Sequence, residues 1–297
     1  MSSTTQQPNN LATHNADNVR IIESTSSWFH VPWRELLHYR DLLFLLVRRD
    51  FVSRYKQTIL GPAWFIIQPL LHTIIFTVVM GQIAGLSEEK MPKILFYYSG
   101  MLAWQYFGDC LKGTSTTFLS NAQLFGKVYF PRLIMPMSVI ISNLFAYVLH
   151  MATFIAFFIY YKWFSWAGDN IQPNWSIMFL PLIILQTAAL GLGVGLWMSA
   201  LTAKYRDFHH LSGFMIECWK YATVPLLMSL SKVPENMQWL LAVNPVSPLV
   251  LWYRHAFLGL EAPSSIHMAV SAIVTLLILF SGIIIFTRTE KTFIDMV

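Results

Sequence analysis

Charged side chains are scarce in this sequence. Asp, Glu, Lys and Arg fill 12% of the 297 positions, about half of what a soluble domain carries. Cysteine is nearly absent. Cys110 and Cys218 each fall in an apolar segment without metal-ligand or redox spacing, which excludes a disulfide framework and reads as two buried free thiols. No GxxxxGK[ST] phosphate loop occurs, so ATP is not bound in that way. No HExxH occurs, and His209 and His210 are adjacent rather than at helical ligand spacing. The acidic residues are scattered, whereas a membrane glycosyltransferase or acyltransferase needs a cluster of carboxylates or histidines at one face. No residue is therefore assigned as catalytic or as a metal ligand. A net charge of +5 is too small and too dispersed to indicate nucleic acid. Residues 1–27, rich in Ser, Thr, Asn and Gln, lack the apolar core of a secretory signal.

What the sequence has instead is apolar length, with 55% hydrophobic residues. Gln57 to Ser87 is a run of 31 residues without Asp, Glu, Lys or Arg, where roughly 20 suffice to cross the hydrocarbon. Helical spans are expected near 62–84, 94–118, 133–161, within 170–203, near 211–230 and at 266–287. The resulting fold class is all-α, a polytopic membrane protein with six transmembrane helices. The domain reading is a disordered cytoplasmic tail at 1–30, an amphipathic interface helix at 31–58 and a transmembrane domain at 59–297.

Two segments need separate treatment. From Trp33 to Lys56, Leu36, Leu43, Val47, Phe51 and Tyr55 recur at helical spacing among basic residues, the pattern of a helix lying in a membrane interface. Phe44 and Leu45 spoil its polar face, so part of it is expected to pack on another helix. Asn236 to Tyr253 is charge-free over 18 residues, but Asn244, Pro245 and Pro248 interrupt it. Proline lacks an N–H and disfavours helix before it, so two short helices that dip in and return are expected rather than a seventh span. With six spans and an inner N-terminus, fourteen Lys and Arg lie inside and five outside, as the positive-inside rule requires. Both termini are then cytoplasmic.

Charges within the spans are the first candidates for function. Asp109 with Lys112, and Glu217 with Lys220, are spaced i, i+3, each on one helix face. They read either as self-neutralising pairs or as the lining of a polar conduit. Aromatics are the second. Phe96, Tyr97, Tyr98, Trp104, Tyr106 and Phe107 crowd the second span; interfacial anchoring explains some, but Trp104 and Phe107 fall near mid-span. The expected path residues are Trp64, Tyr98, Trp104, Phe107, Asp109, Lys112 and Tyr221. GLGVG at 191–195 lies within a long apolar run, and its Gly191 and Gly195 read as close helix packing.

Four stretches, RRDFVSRYKQTILGPAWFIIQPLL at 48–71, LFGKVYFPRLIMP at 124–136, LTAKYRDFHHL at 201–211 and NPVSPLVLWYRHAFLG at 244–259, resemble the type-2 ABC exporter permeases, in the branch exporting O-antigen, capsule and teichoic acid. The resemblance implies a homodimer in the inner (plasma) membrane with a separate ATPase dimer on its cytoplasmic side, which would hold the ATP and Mg; no cofactor is expected in this chain. It implies an ATPase-coupling surface at Arg49, Arg54, Tyr55, Lys127, Tyr205, Arg206 and Asp207. It also implies an outer gate built on 236–253, at Asn244, Pro245, Pro248 and Arg254. The expected cargo is a lipid-linked polysaccharide, O-antigen favoured over capsule or teichoic acid; a drug or lipid exporter of the same fold is the next alternative. Lipids are the remaining partner, and no nucleic acid is expected.

Overall fold

Glycine and proline punctuation divides the long apolar runs into helices. The computed structural model describes residues 38–55, 60–125, 130–165, 168–205 and 207–293, all within one unit spanning Pro32–Val297. The expected tail at 1–30 lies outside the described residues, as do both ends of the expected interface helix. No β-strand occurs among the described residues.

The helices are α1 (Arg40–Tyr55), α2 (Trp64–Phe76, continued by a π-helical stretch Thr77–Ile83), α3 (Lys93–Ser115), α4 (Thr117–Phe125), α5 (Ile134–Phe164), α6 (Leu180–Lys204), α7 (Phe208–Ala222), α8 (Val224–Leu227), α9 (Gln238–Val243), α10 (Ser247–Leu258) and α11 (Ser265–Phe293). Among the described residues, four helical stretches are long and apolar enough to cross a membrane: Ile66–Ile83, Ile134–Phe164, Trp175–Lys204 and Ser265–Glu290. Their outward faces are apolar, with Val148 and Phe145 of α5, Leu182 and Leu185 of α6, and Ile273, Leu277 and Phe280 of α11 all exposed. Lipid is the solvent that tolerates such a surface.

α3 has the length of a span, 23 residues, but a more polar composition. Its position explains this. It is packed by α2, α5, α6, α7 and α10, so protein rather than lipid surrounds it. α7 is 15 residues long, about 22 Å, and the chain turns at Thr223 before Pro225 in α8.

Contacting residues fix the helix directions. Gly191 of α6 meets Phe107 and Cys110 of α3, and Gly195 meets Thr114, so α3 and α6 are parallel. Gln186 of α6 hydrogen-bonds Ser271 of α11 while Gly193 meets Leu279, which makes α11 parallel to both. α5 runs the other way, since Tyr98 meets Phe154 and Tyr106 meets Tyr147. So does α2, with Phe76 on Tyr97 and Gly81 on Lys93. α7 and α8 join that second set, because Ile216 faces Gly108 and Leu226 faces Gly100.

The glycines at 191–195 pack as expected, on both sides of α6. A Cβ on Gly195 would lie 2.5 Å from that of Thr114, and one on Gly193 would lie 2.8 Å from the Leu279 nitrogen. Small residues let backbones approach this closely.

α1 packs on another helix through part of its expected apolar row. Leu46 and Val47 are buried, with Leu42 and Leu43 packed beside Leu46, Ile134 and Met135. Phe44 and Leu45 are exposed. The helix lies along α5, where Phe51 contacts Phe145, as the expected packing of part of it on another helix requires.

Asn236–Tyr253 does not form one helix. α9 ends at Asn244, in extended conformation, and α10 starts at Ser247 with proline in its first turn. The Pro245 carbonyl accepts a hydrogen bond from Ser271, six residues inside α11, which is about 9 Å along that helix. Gly259 closes α10 in the left-handed region at φ 74°, where a Cβ would strike the Gln172 carbonyl.

Candidate functional site

Polar residues within an apolar chain are the first place to look for function, and α2 and α7 present them outward. On α2, Trp64, Gln68 and His72 are spaced i, i+4, i+8, one face of the helix; Trp64 and Gln68 are exposed and His72 is half-buried. On α7, Phe214, Glu217 and Tyr221 form the matching row and all three are exposed. Lys220 pairs with Glu217, its ammonium lying 5.5 Å from the Tyr221 ring centroid. His72 lies within electrostatic reach of both Lys220 and Glu217. Cys218 is exposed on the same helix while Cys110 is buried; the expectation of two buried thiols holds for Cys110 alone, because α7 is not enclosed on that side.

The mid-span aromatics of α3 lie elsewhere. Trp104 is 4% exposed, and Phe107 and Tyr98 are at most 1% exposed. The Trp104 and Phe107 rings are 5.4 Å apart, and Phe107 meets Trp219 edge-on at 5.1 Å. The Tyr98 hydroxyl donates to the His150 carbonyl. These three rings form the core between α3 and its neighbours, whereas Trp64 and Tyr221 stand on accessible faces. Asp109 accepts hydrogen bonds from Gln105, one turn earlier, and Lys112 is exposed.

The break at 244–248 is a polar knot. Asn244, 8% exposed, accepts from the Trp219 indole at 3.1 Å and from the Val246 N–H at 3.0 Å, and donates to the Thr223 hydroxyl at 2.9 Å. One amide thus ties the end of α7 to the turn between α9 and α10. Pro248 is buried and Pro245 half-buried. Arg254 is 2% exposed, stacked 3.6 Å from the Phe96 ring centroid, and donates to the Phe96 and Met228 carbonyls.

At the other end of the bundle, Arg49 pairs with Asp50 at 2.8 Å on the outside of α1. Tyr205 and Asp207 are exposed in the short connection between α6 and α7. Arg54 and Tyr55 lie in the last turn of α1, and Lys127 and Arg206 lie outside the described residues. Sequence reasoning missed Arg132 here. It donates to the Glu290 backbone oxygen at 2.9 Å, lies 3.7 Å from that residue's carboxylate, and stacks on Phe125. Burial lowers its pKa and Glu290 opposes that shift. Trp219 and Thr223 were missed as well, although Thr-Val-Pro at 223–225 signals a helix end. No group of acidic, Cys and His residues among the described residues is placed to hold a metal.

Residues 41–258 match the family described as ABC-2 type transporter. An O-antigen export system permease protein of Myxococcus xanthus is 28% identical over 269 residues, covering 88% of this chain and 97% of the relative. A protein of the same description from Klebsiella pneumoniae is 24% identical, covering 86% and 94%. A polysialic acid transport protein of Escherichia coli is 20% identical, covering 84% and 93%.

Proposed function

The chain belongs to the ABC-2 type transporter family and is a multi-pass membrane transport permease rather than an enzyme, and on that premise we propose that it exports a lipid-linked polysaccharide, O-antigen before capsule. The relatives that carry O-antigen export in their descriptions align along nearly their whole length, and the polysialic acid transport protein aligns at lower identity. The observation that carries the cargo is the accessible polar and aromatic face of α2 and α7. A sugar hydroxyl placed in hydrocarbon without a partner costs ~4–8 kcal/mol, so a polymer needs such a wall. Aromatic faces suit a moving chain, each offering contact on the order of 1 kcal/mol.

In this reading Trp64, Gln68, His72, Glu217 and Tyr221 line the path with Asp109 and Lys112 near its inner end, and Tyr98, Trp104 and Phe107 support that wall from behind. The chain crosses the inner membrane six times, as the two opposed sets of helices support: α2, α5 and α7–α8 one way, α3, α6 and α11 the other. An even number of crossings puts both termini on the cytoplasmic side. α1 rests at that interface. α9 and α10 form the outer gate around Asn244, Pro245, Pro248 and Arg254. Two copies of the chain enclose the path. A separate ATPase dimer supplies ATP and Mg and docks on Arg49, Arg54, Tyr55, Lys127, Tyr205, Arg206 and Asp207, serving lipopolysaccharide biosynthesis.

Deleting the gene tests the function. Surface polymer should disappear while lipid-linked polymer accumulates inside, and the intact gene should restore export. Unchanged surface polymer in the deletion strain, with altered efflux of an amphipathic dye, would assign the chain to small-molecule export instead.

A further inference from the structure

The two elements that carry the proposed lining both end in irregular backbone at the same end of the bundle, opposite Tyr205. α2 passes into its π-helical stretch, Thr77–Ile83, of which only Gly81 is buried, so little packing fixes its last turn. α8 is four residues long and stops at Met228, which is extended. The chain is anchored there. The buried Tyr97 hydroxyl donates to the Leu227 carbonyl and the buried Arg254 guanidinium to the Met228 carbonyl, both at 3.2 Å.

Polar contacts join the two ends. Three consecutive carbonyls of the loop after α2, those of Gly85, Leu86 and Ser87, all accept from the segment after α8. The Lys232 ammonium donates to Gly85 at 2.8 Å and to Ser87 at 3.0 Å, and the Ser229 N–H donates to Leu86 at 2.9 Å. The Ser229 hydroxyl adds a bond to the Glu88 carboxylate at 2.7 Å. Glu89, exposed and 3.9 Å from the ammonium, adds little. Hydrogen bonds from a charged donor are stronger than neutral ones, so Lys232 is the chief member. It lies 147 and 145 positions from its two partners in the chain, and so joins separate elements rather than capping its own. One ammonium on two carbonyls fixes the direction of the loop as well as its distance. The bonds share two residues on one side and one short loop on the other, so they form and break together.

We infer that Lys232 is a positioning residue of the path. With Ser229 it clamps the outer end of α2 to the anchored end of α8, and this clamp stays closed through the export cycle. It thereby sets the spacing of the lining helices, which can swing only about this point. The inference rests on the polysaccharide reading and deepens it, because the clamp acts on the wall that this reading gives to the cargo.

The test expresses the full chain, carrying Cys218→Ser, with its ATPase in the gene-deletion strain and scores surface polymer. Lys232→Met should lower export about tenfold, with the amount of assembled complex unchanged. Glu88→Cys with Ser229→Cys supplies a covalent substitute for the clamp, closed by a short bifunctional methanethiosulfonate and verified by mass spectrometry. Closing this tether in the Lys232→Met chain should restore export to within about twofold of the parent, and reduction should abolish the rescue. A lysine that held the polymer by its charge would not be replaced by a tether. One that served folding alone would lower the amount of complex instead. With Lys232 intact, closing the tether should leave export unchanged. Export blocked by the closed tether would make the contact a gate that has to part. That result, full export in Lys232→Met, loss of assembled complex or failure of the tether to rescue would each overturn the clamp. Export that does not need the gene removes the polysaccharide reading itself, whereas gene-dependent export with any of those results removes the clamp alone.

Discussion

The indole nitrogen of Trp219 on α7 donates to the side-chain oxygen of Asn244, 25 residues further along the chain, at 3.1 Å. The same amide holds Thr223 and the Val246 N–H. The bend at the end of α7 and the reversal between α9 and α10 are therefore one structural unit.

Asn244→Ala is expected to lower stability by ~2–4 kcal/mol, since it leaves several buried polar groups unpaired at ~1–3 kcal/mol each. Thr223→Val removes a single partner and should cost less. Thermal unfolding of the purified variants in detergent checks the order, and equal midpoints for both would show that the knot holds nothing.

Glycines on α6 and α7 should respond in opposite ways. Gly195→Ala places a Cβ 2.5 Å from the Thr114 Cβ, and overpacking of this kind costs ~1–3 kcal/mol. Gly213→Ala meets nothing within 4 Å and should stabilise α7 by up to ~1 kcal/mol through helix propensity. Unfolding midpoints of the two variants give the comparison. If Gly213→Ala disrupts the complex while leaving the isolated chain intact, that face of α7 is occupied by another subunit.

Exposed and buried aromatics should separate export from stability. Trp64→Ala and Tyr221→Ala are expected to slow polymer export about two- to tenfold with unchanged unfolding. Trp104→Ala should instead destabilise by ~3–5 kcal/mol, with Trp104→Phe restoring most of the loss. Surface polymer measured beside thermal stability tests both arms, and slowed export in a fully stable Trp104→Ala would move that ring into the path.

The connection between α6 and α7 should carry coupling. Tyr205→Ala and Arg206→Ala are expected to reduce permease-dependent stimulation of the ATPase about tenfold, as loss of an interface anchor of ~1.4 kcal/mol would, with insertion unchanged. ATPase rates of the reconstituted complex decide, and full stimulation by both variants would place docking elsewhere.

Much of this was legible in the sequence because the signals were local. The charge-free run after Lys56 marks α2, the Asn-Pro pair marks the break before α10, and Gly191 and Gly195 mark the contact with α3. The i, i+3 spacing of Glu217 and Lys220 gave their pairing. Facing was not legible. Trp104 and Trp64 are the same residue type in apolar helices, yet one is 4% exposed and the other 48%. Nothing within a helical turn of either distinguishes them. For the same reason Cys218 was expected to be buried, and the links from Arg132 to Glu290 and from Trp219 to Asn244 were invisible, since they join residues far apart in the chain.

The glycines on both flanks of α6 have a mechanical consequence. Where backbones touch, no layer of side chains remains to shear, so α3, α6 and α11 behave as a single slab. Any widening of the passage falls to the helices running the opposite way, above all α2 and the jointed α7–α8 pair, with Thr223 and Asn244 as pivots. Those are the helices that present the polar and aromatic face. On the proposed path, most of the lining belongs to the moving helices, so each stroke would reshape the surface on which the sugars rest instead of lifting a door in front of it.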